Sequence, residues 1–216
     1  MSNLEFEYLF PIFKKNVLLE NLKKLNATLV HPRMKYYVTY FTIKDANYFL
    51  RVRKEYNIVS VTRKNFPKEG EFSSEHEIKI KEGSTYSEAI KFIEAIINDK
   101  TYTKVEHEKY REKWSVGKNC NEVVIDEWPG LPEYVEVDCK SKESLEKMID
   151  ILDKTVFYTS PMSYWKEFYD MKNKDFSKNS LKFNNTILEL LTPYINKNHN
   201  NLVSMQQLYL TSDLYK

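Results

Sequence analysis

Pairs of like-charged residues recur at alternating positions in segments that have the composition of β-strands. Consecutive residues of a strand point to opposite faces of its sheet, so residues i and i+2 share a face. The acidic pairs are Glu5 with Glu7, Glu75 with Glu77, and Glu136 with Asp138; the basic pairs are Arg51 with Arg53 and Lys109 with Arg111; and Lys64 shares a face with Thr62. Like charges side by side repel each other, so such pairs require opposite charges close by.

One alternating pair of charges is typical of the water-exposed face of any antiparallel sheet. Several strands with pairs of both signs favour a closed barrel whose charged side chains point inward around one polar interior. Carboxylates are ligands of hard divalent cations, and arginine and lysine bind phosphate oxygens. The residues by themselves therefore favour a barrel that holds a metal-bound polyphosphate.

Composition excludes several other ways of binding nucleotides and metals. The chain has 216 residues, and its 4 glycines are too far apart for a G-x-G-x-x-G fingerprint or a Walker-A loop. The 2 cysteines cannot supply a Cys₄ zinc site. The net charge of +2 lacks the excess that an extended nucleic-acid surface requires.

The start of the chain does not resemble a signal peptide, because Glu5 and Glu7 stand where an apolar stretch is needed. No run approaches the roughly 18 apolar residues of a membrane span. We therefore expect a cytoplasmic protein that does not associate with membranes. Cys120 and Cys139 would oppose each other in a symmetric hairpin, but an intracellular chain favours two reduced thiols.

The periodicity of the chain predicts a mostly antiparallel β domain with helices outside it and a helical C-terminal extension. Strands are predicted at 3–12, 35–43, 48–55, 58–64, 74–80, 103–114, 121–127 and 133–139, and helices at 17–25, 84–98 and 141–154. Thr85-x-x-Glu88 predicts a capping box at the start of the second helix, and Ser141 predicts the start of the third.

The order of the charged motifs resembles that of the CYTH superfamily, the triphosphate tunnel metalloenzymes. Its members include thiamine triphosphatases, inorganic tripolyphosphatases and class IV adenylyl cyclases. The stretches that carry the resemblance are LEFEYLF (4–10), FLRVRKEYNIVSVTRK (49–64), SEHEIKI (74–80), EKYREKW (108–114) and NEVVIDEWPGLPEYVEVD (121–138). The resemblance implies an α+β fold, with an eight-stranded antiparallel β-barrel (the triphosphate tunnel) in residues 1–155. Residues 156–216 would form the helical extension, packed on the barrel.

The resemblance also implies roles for individual residues. The carboxylates that would bind Mg²⁺ or Mn²⁺ inside the tunnel are Glu5, Glu7, Glu75, Glu77, Glu136 and Asp138. The side chains that would bind the triphosphate are Arg51, Arg53, Lys64, Lys109 and Arg111, with Asp126 orienting one of these basic groups. Among these residues, Glu7, Arg53 and Lys64 are the predicted catalytic residues.

Two positions depart from the pattern of the family. Leu9 stands where the family motif E-x-E-x-K has its lysine, so an apolar side chain would share the face of Glu5 and Glu7. The segment 35–43 (KYYVTYFTI) is more aromatic than the acid-containing strand expected there. His107 shares a face with Lys109 and is predicted to lie solvated near a tunnel mouth.

The expected activity is metal-dependent hydrolysis of a triphosphate at its terminal phosphoryl group, by a monomer or a homodimer. The substrate would be inorganic tripolyphosphate, a nucleoside or thiamine triphosphate, or an RNA 5′-triphosphate. A class IV adenylyl cyclase, which forms cyclic AMP and pyrophosphate, would use the same metal and phosphate contacts. Leu9 also keeps open a non-catalytic triphosphate-binding module. A protein that acts through its C-terminal extension is the remaining alternative.

Overall fold

In the computed structural model of the chain, nine hydrogen-bonded segments of the described residues form one antiparallel sheet. The structure describes residues 3–4, 6–10, 13–66, 74–80, 85–129, 133–153, 156, 180–184 and 189. The strands are β1 (Asn3–Leu4), β2 (Phe6–Phe10), β3 (Thr28–Ile43), β4 (Tyr48–Glu55), β5 (Ile58–Asn65), β6 (Ser74–Ile80), β7 (Tyr102–Ser115), β8 (Cys120–Glu127) and β9 (Tyr134–Cys139). The helices are α1 (Lys15–Lys24), α2 (Tyr86–Ile96) and α3 (Lys142–Ile151).

The two ends of the sheet come from one N-terminal segment. The strand order is β1-β6-β5-β4-β3-β7-β8-β9-β2, and only residue 5 separates β1 from β2. This segment therefore pairs with β6 on one side and with β9 on the other. With β1 and β2 taken as one strand, the predicted eight-stranded antiparallel barrel is confirmed.

Strand β3 is longer than the predicted segment 35–43. It begins at Thr28, and its pairing with β7 shifts register between Leu29 and His31 and again between His31 and Met34. Pro32 lies between these shifts and has no N–H to donate to the sheet. The first half of β3 therefore lacks the regular alternation by which a strand is found in a sequence.

The apolar core lies between the sheet and the helices. Val123 and Val137 of β8 and β9 pack with Leu18 of α1 and Leu145 of α3, and all four side chains are buried. A second buried cluster joins β3, β4 and β5 to α2 through Phe41, Val52, Val59, Ala89 and Ile93. The strand face that packs on the helices is thus the apolar one, and we call the opposite face the inner face.

The predicted starts of α2 and α3 are confirmed, whereas α1 begins at Lys15, two residues before the predicted segment 17–25. The Thr85 hydroxyl accepts a hydrogen bond from the Glu88 backbone N–H at 3.2 Å, and the Glu88 carboxylate accepts one from the Thr85 backbone N–H at 2.6 Å. The Ser141 hydroxyl accepts from the Ser144 N–H at 3.1 Å. Both arrangements satisfy N–H groups that would otherwise lack partners at a helix start.

Cys120 and Cys139 are joined by a disulfide, so the expectation of two reduced thiols is wrong. They are directly opposite one another in the β8–β9 hairpin, with their Cα atoms 3.7 Å apart. The register of the hairpin brings the two sulfur atoms together, whereas the expectation came from the presumed compartment. Among the helices that the structure describes, none is long and apolar enough to cross a membrane.

The C-terminal extension is described at residues 156, 180–184 and 189, and most of the predicted 156–216 segment lies outside the described residues. Leu181 forms a parallel β-bridge with His107, and its carbonyl accepts a hydrogen bond from the Glu108 N–H at 2.8 Å. β8 begins its pairing with β7 at Tyr110. Residues 180–184 therefore lie beside the part of β7 that β8 leaves uncovered.

Candidate active site

Apart from Glu5, which lies outside the described residues, the charged pairs that the sequence singles out lie on the inner face, opposite the apolar cores. Across β4, β5 and β6, Arg51 is directly opposite Thr62, which is directly opposite Glu77. Directly opposed residues of an antiparallel pair share a face. Register thus brings basic and acidic residues of different strands together, as the repulsion within each pair requires.

The first group of charges is the β4–β6 cluster, which consists of Arg51, Arg53, Lys64, Glu75 and Glu77. The Nη2 atom of Arg53 lies 2.7 Å from Oε2 of Glu77, and Nη2 of Arg51 lies 3.2 Å from Oε2 of Glu75. Lys64 Nζ is 3.9 Å from the same Glu75 oxygen. These side chains are 13–19% exposed, so the cluster is accessible to a ligand.

Two hydroxyl groups of β5 lie inside this cluster. The Thr62 hydroxyl donates to Glu77 at 3.2 Å and accepts from Nη2 of Arg51 at 3.3 Å. The Ser60 hydroxyl donates to Glu77 at 3.3 Å. Within the described residues, however, the Nε atoms of Arg51 and Arg53 are buried and have no hydrogen-bond partner. Buried donors of this kind are rare in proteins, and they commonly mark a place for a ligand or water.

The second group is the β7–β9 cluster, which consists of Lys109, Arg111, Glu122, Asp126 and Glu136. Asp126 is fully buried and binds both basic residues of β7. Lys109 Nζ donates to Asp126 at 2.6 Å, while Nε and Nη2 of Arg111 donate to its two oxygens at 2.7 Å each. The expectation that Asp126 orients a basic group agrees with this geometry, and the carboxylate serves two such groups.

The electrostatics of the β7–β9 cluster follow from its burial. Burial raises the pKa of Asp126, but the charges of Arg111 and Lys109 outweigh that effect and hold the pKa at about 2. Burial and the neighbouring Arg111 lower the pKa of Lys109. Burial raises the pKa of Glu136, although Arg111 and Lys109 oppose the change. The core of this cluster is therefore a stable ion triad with Asp126 at its centre.

Three charged residues of the inner face were missed by the sequence analysis: Glu55, Lys113 and Glu122. Lys113 forms ion pairs with Glu122 and, at 3.4 Å, with Glu55, and Nη1 of Arg111 lies 3.3 Å from Glu122. Glu55 and Lys113 each stand two residues after a recognised basic residue. Extending the alternation by one step would have found both residues.

Glu7 and Leu9 of the N-terminal strand β2 lie on the inner face, as the alternation of its sequence predicts. Glu7 is directly opposite Asp138, and Leu9 is directly opposite Glu136. Leu9 therefore does lie on the inner face in place of the lysine of the family motif. Glu5 lies outside the described residues.

The carboxylates of the inner face have the chemistry that Mg²⁺ and Mn²⁺ prefer, since both ions take oxygen ligands. Among the described residues, no three His, Cys, Asp or Glu side chains are close enough to hold a metal ion together. Several of these carboxylates bind basic residues, among them Glu75, Glu77 and Glu136. The carboxylate oxygens of the inner face are thus ligands of the right type for a divalent ion. To bind one, some of these carboxylates must first leave their basic partners.

His107 is 6% exposed, so the expectation of a solvated histidine is wrong. Its Nδ1 accepts a hydrogen bond from the Leu181 N–H at 3.2 Å, and its ring lies 5.7 Å from that of Trp128. Burial lowers the pKa of His107 to about 4. His107 is buried because residues 180–184 pack beside it, and no sequence motif predicts that contact.

Tyr134 shares the inner face with Glu136, because the two residues stand at alternating positions of β9. It is directly opposite Asp126, and its hydroxyl donates to that carboxylate at 3.2 Å. The same hydroxyl accepts from the indole N–H of Trp128 at 2.8 Å. These contacts complete the set of donors around Asp126.

No family model and no curated protein sequence matches the chain. Solved structures do match it. A Vibrio parahaemolyticus protein designated a "putative adenylate cyclase" is 13% identical, with a TM-score of 0.57, covering 77% of this chain and 98% of its own. A conserved hypothetical protein from Pyrococcus furiosus is 18% identical, with a TM-score of 0.54, covering 75% of this chain and 98% of its own. A Pyrococcus horikoshii protein is 16% identical, with a TM-score of 0.52, covering 69% and 90%. The fold of the chain is CYTH-like.

Proposed function

We propose that the protein binds a triphosphate together with a divalent metal ion on the inner face of its barrel and hydrolyses the terminal phosphoryl group. The observation that carries this proposal is the pair of buried Nε atoms of Arg51 and Arg53, which have no hydrogen-bond acceptor among the described residues. A Glu55 oxygen lies 4.0 Å from Arg53 Nε, which is too far for a hydrogen bond. They lie on the same inner face as the buried Lys109 and Arg111. A polyanion would supply the acceptors that these donors lack.

A triphosphate suits this face in geometry and in charge. Guanidinium groups bind phosphate oxygens through two parallel hydrogen bonds, and lysine adds a compact charge. The bound anion would compete with Glu75 and Glu77 for Arg51 and Arg53. A carboxylate released in this exchange becomes available as a metal ligand.

Mg²⁺ or Mn²⁺ would be held by carboxylates of the inner face. The proposed ligands are Glu5, Glu7, Glu75, Glu77, Glu136 and Asp138. When bound, the metal ion would neutralise phosphate charge and lower the pKa of a bound water. Glu7 on β2 and Glu75 on β6 lie on strands that the N-terminal segment joins.

The chain itself would contribute orientation and charge. Arg51, Lys109 and Arg111 would hold the phosphate chain, while Arg53 and Lys64 would stabilise charge on the transferring group. Glu7, the exposed carboxylate of β2, would orient the attacking water. Water would attack the terminal phosphorus and give a proton to the Glu7 carboxylate as the bond to the bridging oxygen breaks. The bridging oxygen would leave with the electron pair on the remaining diphosphate group, and Glu7 would return the proton to solvent.

A non-catalytic triphosphate-binding module is the second candidate, and Leu9 favours it. The side chain lies on the inner face directly opposite Glu136, where the family motif places a lysine. An apolar residue there removes a cation that could position a phosphate or the attacking group. Binding would survive this change more readily than catalysis, because several other cations remain.

Phosphorus NMR of the reaction products tests the proposal. The protein is incubated with Mg²⁺ or Mn²⁺ and, separately, tripolyphosphate, ATP, thiamine triphosphate and 5′-triphosphate RNA. The proposal expects orthophosphate from at least one of them and none after chelation of the metal. Pyrophosphate with cyclic AMP would indicate a cyclase instead.

The same samples are heated to measure thermal protection. An intact ligand that raises the melting temperature would indicate the binding module, and no product with no protection would contradict both candidates. In the same assay, Arg53→Ala should release much less orthophosphate than the wild type. Arg63→Ala is the matched control, because Arg63 lies on the opposite face of β5 beside Tyr48.

The cytoplasmic compartment, the lack of a membrane partner and the monomeric or homodimeric state stay predictions.

A further inference from the structure

Tyr36 lies on the inner face between the two charged clusters. Its strand, β3, pairs with β4 on one side and with β7 on the other, so a side chain of β3 reaches residues of both. Tyr36 is directly opposite Lys109 and is 2% exposed. At this position, cations of both clusters meet an uncharged side chain.

Three cations surround the Tyr36 ring. Lys109 Nζ lies 4.9 Å from the ring centre, and the guanidinium carbons of Arg111 and Arg53 lie 5.3 Å and 5.9 Å from it. All three distances fall within the roughly 6 Å over which an aromatic face attracts a cation. Arg53 belongs to the β4–β6 cluster, and the other two cations belong to the β7–β9 cluster.

An aromatic ring suits this position better than a carboxylate would. A carboxylate would form hydrogen-bonded ion pairs with the cations and compete with a phosphate ligand for them. The negative face of a ring attracts the cations and offsets their mutual repulsion without neutralising them. Burial raises the pKa of the Tyr36 hydroxyl above its ordinary value, so the side chain stays neutral.

We propose that Tyr36 is a positioning residue for the phosphate-binding cations. Its ring fixes the separation of Arg53 from Lys109 and Arg111, so that both clusters face the ligand at a set distance. This inference rests on the proposed function, because it assigns Tyr36 to the binding of a triphosphate. It also explains why segment 35–43 is aromatic at this point: the ring takes the place of an acid.

Stepwise fluorination of the ring tests this role. The full-length protein is prepared with Tyr36→Phe and with phenylalanines that carry one, two or three ring fluorines at position 36. Each variant is titrated with tripolyphosphate in the presence of Mg²⁺ by calorimetry. Fluorine withdraws electrons from the ring face while nearly keeping its shape, so the attraction for cations weakens and packing changes little.

We expect Tyr36→Phe to bind within about twofold of the wild type, and the trifluoro variant to bind roughly tenfold more weakly, with intermediate steps between them. The melting temperature without ligand should stay nearly constant across the series, which distinguishes positioning from a structural role. The control is the same series at Tyr48, whose ring packs against Arg63 at 4.3 Å on the opposite face. That series should leave the affinity unchanged.

An unchanged affinity across the Tyr36 series, in a protein whose wild type binds tripolyphosphate, would overturn the role of Tyr36 and leave the proposed function standing. An equal loss in the Tyr48 series would also overturn it, because the effect would then be general to aromatic positions. Failure of the wild type itself to bind tripolyphosphate would contradict the proposed function, and the positioning role with it.

Discussion

The two charged clusters of the inner face are built from similar residues, but they differ in how completely their charges are satisfied. In the β7–β9 cluster, Asp126 binds Lys109 and Arg111 at 2.6–2.7 Å, with side chains 0–9% exposed. In the β4–β6 cluster, the ion pairs range from 2.7 to 3.9 Å, with side chains 13–19% exposed. Arg51 and Arg53 there each retain a buried N–H without an acceptor among the described residues.

This difference makes the β7–β9 cluster a fixed support and leaves the β4–β6 cluster open to exchange of its ion pairs. Two basic residues held by one buried carboxylate keep their positions whether or not a ligand is present. Arginines with unused buried donors gain hydrogen bonds when an anion arrives. We therefore expect substitutions in the first cluster to cost stability, and substitutions in the second to cost ligand binding and turnover.

The largest expected effect is on stability, from Asp126→Asn. The substitution removes the buried carboxylate that binds both Lys109 and Arg111, so the free energy of unfolding should fall by about 3–5 kcal/mol. The matched change in the other cluster, Glu75→Gln, should cost about 1 kcal/mol or less. Urea denaturation measures both. Equal costs would contradict the contrast between the clusters.

The next effect is on turnover. Arg53→Ala should reduce kcat by roughly 10²–10³-fold, because it removes a donor aimed at the transferring group. Glu7→Ala should reduce kcat to a similar extent, and in both variants the circular dichroism spectrum should match that of the wild type. The outer-face control Arg63→Ala should turn over normally. Full activity of both Arg53→Ala and Glu7→Ala would refute the assignment.

A pH effect comes from His107, which is buried on β7 beyond Lys109. Burial lowers its folded-state pKa to about 4, against about 6.5 in the unfolded chain. Between these values the unfolded state binds more protons, so stability falls as the pH falls, by about 1.4 kcal/mol per unit at most. The contribution is fully present above about pH 6.5.

Urea denaturation at pH 7 and pH 5 isolates this contribution when wild type is compared with His107→Asn. The variant has no imidazole to protonate, and its side-chain oxygen can still accept from the Leu181 N–H. It should lose less stability between the two pH values than the wild type does. Identical losses would show that His107 stays neutral in both states or is solvated in the folded one.

The smallest expected effect is on affinity, from Thr62→Val. The hydroxyl links Glu77 and Arg51 in the β4–β6 cluster, so its loss should raise KM roughly two- to tenfold with little change in kcat. Thr39→Val is the matched control, since its hydroxyl bonds the Tyr86 hydroxyl at 2.7 Å away from the clusters. A KM that rises equally in both variants would contradict a specific role of Thr62.

Much of the fold could be predicted because it depends on local patterns. Alternation located most strands and assigned Arg51 and Arg53 to one face, and the residues Thr85 and Ser141 marked the helix starts. The N-terminal half of β3 escaped prediction because Pro32 and two register shifts interrupt its alternation.

The sequence predicted many of the charged residues of the candidate site, but it did not predict which of them form ion pairs with each other. The partners of each charge depend on the register between strands, which turns and packing set over long distances in the chain. Hence the pairing of Lys113 with Glu55 and Glu122 could not be predicted. For the same reason, the sequence did not indicate that three cations surround the Tyr36 ring. The burial of His107 depends on residues 180–184, which lie more than seventy positions away.

A crystal structure of the wild-type protein with Mn²⁺ and a tripolyphosphate analogue whose bridging oxygens are replaced by NH groups would show directly whether the inner face binds a triphosphate. We expect phosphate oxygens within hydrogen-bond distance of Arg51, Arg53, Lys109 and Arg111. We also expect an anomalous manganese peak beside carboxylates of the inner face, with Asp126 still bound to its two basic partners. An analogue bound away from the inner face, with the ion pairs of the β4–β6 cluster unchanged, would contradict the proposed function.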